Sequence, residues 1–208
     1  MRLFLPLAIT LLSAAHAAAQ DPIEQLRVEL EHIHTLDQAD RQAVGNYMHG
    51  PERDSVVAHM ARQDSLNLVR VSAILDSAGW LGPDVLGKKA NQALFLVIQH
   101  ADARPEIQAR YLEDMREAAQ DGRALRSELA MLEDRVAVNH HRPQRFGSQI
   151  GWKDGRPFVQ PLEDPARVNE YRAAMHMEPL EDYARRFGIE WAAPPARERL
   201  LLLGPATH

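Results

Sequence analysis

The residues able to do chemistry fall in three stretches: Gln99, His100 and Asp102; the adjacent pair Asp134 and Arg135; and Gln144, Arg145 and Gln149. An imidazole gains and loses a proton near neutral pH. Carboxylates can orient it, guanidinium groups can hold a carboxylate, phosphate or developing oxyanion, and amides add hydrogen bonds. Gathered in one hollow, His100 would act as general base or acid, Asp134 or Asp102 would fix its tautomer, and Arg135 or Arg145 would hold an anion. His100, Asp134 and Arg135 would then be the chemical centre, with Gln99, Asp102, Gln144, Arg145 and Gln149 as binding residues. That convergence is an expectation about folding, which adjacency alone does not establish.

Several chemistries are excluded. The chain has no cysteine, so it has no disulfide framework, thiol nucleophile or cysteine-ligated metal. Ser148 lacks a catalytic-serine motif, which leaves water as the nucleophile of any hydrolase. A metal on His100 and Asp102 finds no obvious third ligand and HExxH is absent, so neither metal nor cofactor is expected. His32 and His34, two apart on a helix, point to different faces, and His140 and His141 read as loop residues. With 24 basic and 29 acidic side chains interspersed over 208 residues, the net charge is −5. Nothing in that balance draws the chain to nucleic acid. A small anionic ligand or a protein partner fits better.

The elements that must position these groups are mostly helices. Asp21 and Pro22 open a first one, with Ile23, Leu26, Leu30 and Ile33 at helical spacing. A second follows Pro51, carries Val57, Met60, Leu68, Val71 and Leu75, and stops at Gly79; Asp64 and Asn67 read as a solvated stripe on it. A third, over 85–101, is apolar nearly all round and therefore buried, with Gln92 and Gln99 on nearly one side. His100 sits at its carboxyl end, where the helix dipole favours the imidazolium, and Asp102 reads as a cap for the next helix.

That fourth helix begins near Pro105 with Ile107, Tyr111, Leu112 and Met115. Beyond Gly122 a fifth buries Leu125, Leu129, Leu132 and Val136, with Asp134 and Arg135 as a charged pair at the edge of its apolar face. Alternation then predicts a strand over 144–152, with Phe146, Ser148, Ile150 and Trp152 on one face and Arg145 and Gln149 on the other. Asp154-Gly155 is a hairpin turn, and the return strand 156–160 contains Pro157, which suits an edge. Short helices follow around Val168, Tyr171 and Met175, and around Leu180, Tyr183 and Phe187. The expected fold is mainly α, a single helical domain over 20–208 with a small two-stranded hairpin packed on it.

Residues 1–19 read as a secretory signal: Arg2, an apolar run over 3–12, then small residues, with cleavage after Ala17 or Ala19. Removal leaves a net charge of −6 and no stretch apolar enough to span a membrane. The expected product is soluble and periplasmic or secreted. The tail from Trp191, with its leucine run 200–203, has no assigned place.

The chain resembles an uncharacterised bacterial family, domain of unknown function 6624. The resemblance rests on Asp64-Ser65-Leu66-Asn67, Gly79-Trp80, Gln99-His100-Ala101-Asp102, Leu132-Glu133-Asp134-Arg135, Pro143-Gln144-Arg145-Phe146-Gly147-Ser148-Gln149 and Glu163-Asp164-Pro165. These runs cover a core of about 60–185. Phe146 replaces an expected tyrosine and Ser148 an expected threonine, so a hydroxyl role survives where a phenolic one does not. The resemblance implies no activity, cofactor or partner. Two functional readings stand: a binding or interaction domain with a polar His/Asp/Arg/Gln pocket, and a hydrolase using His100 with Arg135 or Arg145.

Overall fold

The computed structural model describes residues 21–44 and 50–194. The expected signal segment 1–19 and the leucine run 200–203 lie outside these residues. Helices α1 (Pro22–Val44), α2 (Pro51–Ala78), α3 (Pro83–Leu86), α4 (Lys88–Gln99), α5 (Pro105–Gln120) and α6 (Arg126–Asn139) come first. The antiparallel strands β1 (Ile150–Lys153) and β2 (Arg156–Val159), then α7 (Val168–Ala174) and α8 (Leu180–Arg185), complete the described chain. The protein is mainly α-helical with a small hairpin.

Three of the long helices open on proline, whose missing N–H and fixed φ suit a first turn. At α1, Asp21 Oδ1 also accepts the Ile23 N–H at 3.0 Å. The buried line of α1 runs through Leu30 and Ile33 and then meets Asp37, 1% exposed. On α2 the buried face includes Leu68, Val71, Ile74 and Leu75. The solvated stripe expected there is corrected: Asn67 is buried, and Asp64 is half-buried against α1.

The helix expected over 85–101 is two helices. Gly87, at φ 76°, breaks the path and caps α3 through its N–H to Pro83 O at 3.0 Å. Helix α4 is the centre of the core and touches α1, α2, α3, α5 and α6. Ala90, Ala93, Leu94 and Ile98 are sealed from solvent; a fully buried leucine or isoleucine contributes about 1.5–3 kcal/mol. Gln99 is buried as expected, whereas Gln92 is exposed and meets His34 Nε2 through its Oε1 at 3.1 Å. The buried amide at the other end is Asn91, donating to Leu81 O at 2.7 Å and Arg123 O at 3.1 Å. Leu125 is exposed because it precedes the first turn of α6 as its N-cap.

The segment 144–149 is irregular where a strand was expected. Asp134 of α6 takes the backbone N–H groups of Arg145, Phe146 and Ser148, which would otherwise serve a ladder. Gly147 turns the chain at φ 71°. Phe146, Ser148 and Gln149 are consequently all buried, while Trp152 is 67% exposed. Pairing starts at Ile150 opposite Val159 and runs to Lys153 opposite Arg156, closed by the Asp154-Gly155 turn.

Candidate functional site

Helix α1 brings Asp37 against the carboxyl end of α4. Its Oδ1 lies 3.0 Å from His100 Nδ1, and the imidazole is 17% exposed. Arg41, one turn further along α1, donates to Asp37 O at 2.7 Å and grips both oxygens of Asp64 at 3.0 Å. Burial works against ionisation of Asp37, but the His100 hydrogen bond and the charges of His100 and Arg41 outweigh it and hold the carboxyl below its ordinary 3.8. Whenever the imidazole carries a single proton, an ionised Asp37 favours that proton on Nδ1, which leaves Nε2 as an acceptor.

His100 borders a cavity of about 510 Å³. Arg41, Asp64, Asp102, Arg104 and Arg135 supply its polar lining, while Val44, Met60, Ala61 and Leu68 make an apolar wall. Asp102 is no helix cap, because Arg104 holds that position. Instead Asp102 receives Asn139 Nδ2 at 3.0 Å, Gln108 Nε2 at 3.3 Å and Arg135 Nη1 at 3.2 Å. Gln108, itself buried, also donates to Ile98 O and Gln99 O at 3.1 Å, so the end of α4 is pinned to α5 and α6.

Three buried atoms here lack a hydrogen-bond partner among the described residues: Arg135 Nε, Gln99 Oε1 and Asn67 Nδ2. An unpaired buried polar group costs about 1–3 kcal/mol. Arg135 lines the cavity; Gln99 and Asn67 are chain neighbours of the lining residues His100 and Leu68.

The eight expected residues therefore do not share one hollow. His100, Asp102 and Arg135 border the cavity, with Gln99 beside them. Asp134, Gln144 and Gln149 form a buried clamp elsewhere. Asp134 Oδ1 accepts from Arg145 N at 2.8 Å and Phe146 N at 2.9 Å, and Oδ2 from Ser148 N at 2.8 Å. Burial raises its carboxyl pKa more than these bonds lower it. Gln144 Nε2 donates to Gln149 O and Gln160 O at 3.0 Å, and its Oε1 accepts from Gln149 N at 2.8 Å. Gln149 Nε2 reaches Met131 O at 3.2 Å, and Tyr183 Oη donates to Ser148 O at 2.8 Å. Arg145 borders a second cleft. The group orienting His100 is thus Asp37, not Asp134 or Asp102.

Asp37 and Arg41 were missed in the sequence. Their signal was a carboxylate continuing the Leu30–Ile33 buried line at the next helical interval. Among the described residues no group of three or more His, Asp or Glu side chains is placed to hold a metal. No described helix is long and apolar enough to cross a membrane.

A mainly helical scaffold carrying an oriented imidazole at a cavity with both charged and apolar walls is the class these residues define. The chain belongs to a family of unknown function, DUF6624, whose family profile matches residues 24–192. The match reaches beyond 60–185 at both ends and takes in α1 from its third residue, with Asp37 and Arg41. No curated protein and no solved structure matches the chain.

Proposed function

We propose that this is an exported, soluble protein that binds a small polar molecule with an anionic group in the His100 cavity. The observation that carries the reading is the Asp37–His100 hydrogen bond at the cavity wall. It leaves one imidazole nitrogen to exchange a hydrogen bond with a ligand beside an apolar wall, where Arg135, paired with Asp102 at 3.2 Å, and Arg104, paired with Glu106 at 2.6 Å, would have to share their guanidinium groups with an anion. Export rests on residues 1–19, removed after Ala17 or Ala19.

The same bond favours a second reading as a hydrolase. Nε2 of an aspartate-oriented histidine can take a proton from water as it attacks, and Arg135 can stabilise the oxyanion that develops.

A thermal-shift panel of mono- and dicarboxylates, sugar acids and amino acids tests the binding reading. A member of the panel should stabilise the wild type and lose that effect in His100→Ala and Arg135→Gln. No stabilisation by any member, or stabilisation that survives both substitutions, overturns it. Turnover of para-nitrophenyl acetate or phosphate that disappears in His100→Ala supports the hydrolase.

A further inference from the structure

We propose a second and separate binding site for a tetrahedral oxyanion, phosphate or sulfate, free or as an ester, in the cleft between α5, α6 and the segment 142–145. The cleft measures about 480 Å³ and shares no lining residue with the His100 cavity. Arg116, Arg142 and Arg145 all border it.

The three guanidinium groups differ in what already satisfies them. Arg116 is committed to carboxylates, with Nε 2.8 Å from Glu133 and Nη1 2.6 Å from Glu113. Arg142 and Arg145 have no carboxylate partner among the described residues. Arg145 is nevertheless held in place. Its backbone N–H is anchored on Asp134 at 2.8 Å, and its guanidinium carbon lies 4.5 Å from the centre of the Tyr171 ring.

Stacking of that kind fixes the plane of the group and leaves its N–H edges to a ligand. A guanidinium oriented in advance loses less freedom when it grips an oxyanion. Glu133 is paired with Arg116. The carboxylates of Glu163 and of Asp134, whose oxygens face three backbone amides, also border the cleft, yet neither is paired with Arg142 or Arg145. A tetrahedral oxyanion has oxygens enough to serve both. The anion-holding role expected of Arg145 then belongs here, apart from His100.

Isothermal titration of the full chain with inorganic phosphate, sulfate and acetate tests this. Phosphate or sulfate should bind saturably in the millimolar range or tighter, more strongly than acetate, and weaken as salt rises. Arg145→Gln and Arg142→Gln should each cost about tenfold in affinity, the loss of one charge-assisted contact, whereas His100→Ala should leave binding unchanged. Arg142 is exposed, so its replacement is made at the surface. Absence of saturable binding, equal binding of acetate, or affinity unchanged in both arginine variants overturns the proposal. So does binding lost in His100→Ala and kept in Arg145→Gln, which would put the anion in the first cavity. A phosphomonoester that binds as phosphate does supports the site for esters as well.

Discussion

Replacing Glu128 by glutamine should stabilise the protein at neutral and alkaline pH and do nothing in acid. Glu128 lies in the first turn of α6 and is 6% exposed. Burial raises its carboxyl from 4.5 to about 7, opposed by a side-chain hydrogen bond from Gln92. Gln92 Oε1 faces His34 Nε2 at 3.1 Å, which leaves its amide N–H for Glu128. Below the unfolded value of 4.5 both states carry the proton and folding gains the full benefit of a neutral buried acid. Between 4.5 and about 7 the unfolded chain ionises while the folded one holds its proton, so stability falls as pH rises. At ~1.36 kcal/mol per pH unit the loss is about 3 kcal/mol. Glutamine never ionises and keeps the shape of the protonated acid. Near pH 8 the variant should therefore melt roughly 6–12 °C above wild type, at ~2–4 °C per kcal/mol for a chain of this size. Around pH 4 the two should coincide. Thermal melts followed by far-UV circular dichroism across this range read the difference. A gap that is absent near pH 8, or equally large at all pH values, would refute the claim that desolvation governs this carboxyl.

Asp37→Asn removes a buried charge that pairs with His100 and Arg41. Urea unfolding at neutral pH should show a loss of about 3 kcal/mol. Because the Asp37 carboxyl is held below 3.8, that deficit should shrink as pH falls through its depressed value. Gly147→Ala meets two costs: a φ of 71°, and a Cβ that would lie 2.8 Å from Leu180 Cδ2. Each is worth about 1–3 kcal/mol, so the variant should unfold at clearly lower denaturant with an unchanged slope.

Much of the helical scaffold was legible because its signals are local. Pro22, Pro51 and Pro105 mark helix starts, apolar spacing marks the buried faces of α2 and α5, and Asp154-Gly155 marks the hairpin turn. The failures share a different cause. The 144–149 segment alternates like a strand, yet its amides are captured by Asp134, an acceptor 11 to 14 residues earlier that no local period reveals. Asp37 becomes an orienting group only because α1 packs on α4, a contact made across 63 residues of sequence.

The partition of the expected site also follows from helix geometry. Neighbouring positions on a helix point about 100° apart, so Asp134 and Arg135 present their side chains to different sides of α6. Helix α6 acts as a divider: Arg135 turns to the His100 cavity, and Asp134 turns to the backbone of 145–148. A short polar motif on one helix therefore serves two purposes, and substitutions at the two positions should fail differently. Loss of Arg135 removes a cavity charge and leaves the clamp intact. Loss of Asp134 frees the clamp that holds Arg145 at the second cleft, which ties the anion site to the integrity of the 144–149 segment and leaves His100 with its own partner on α1.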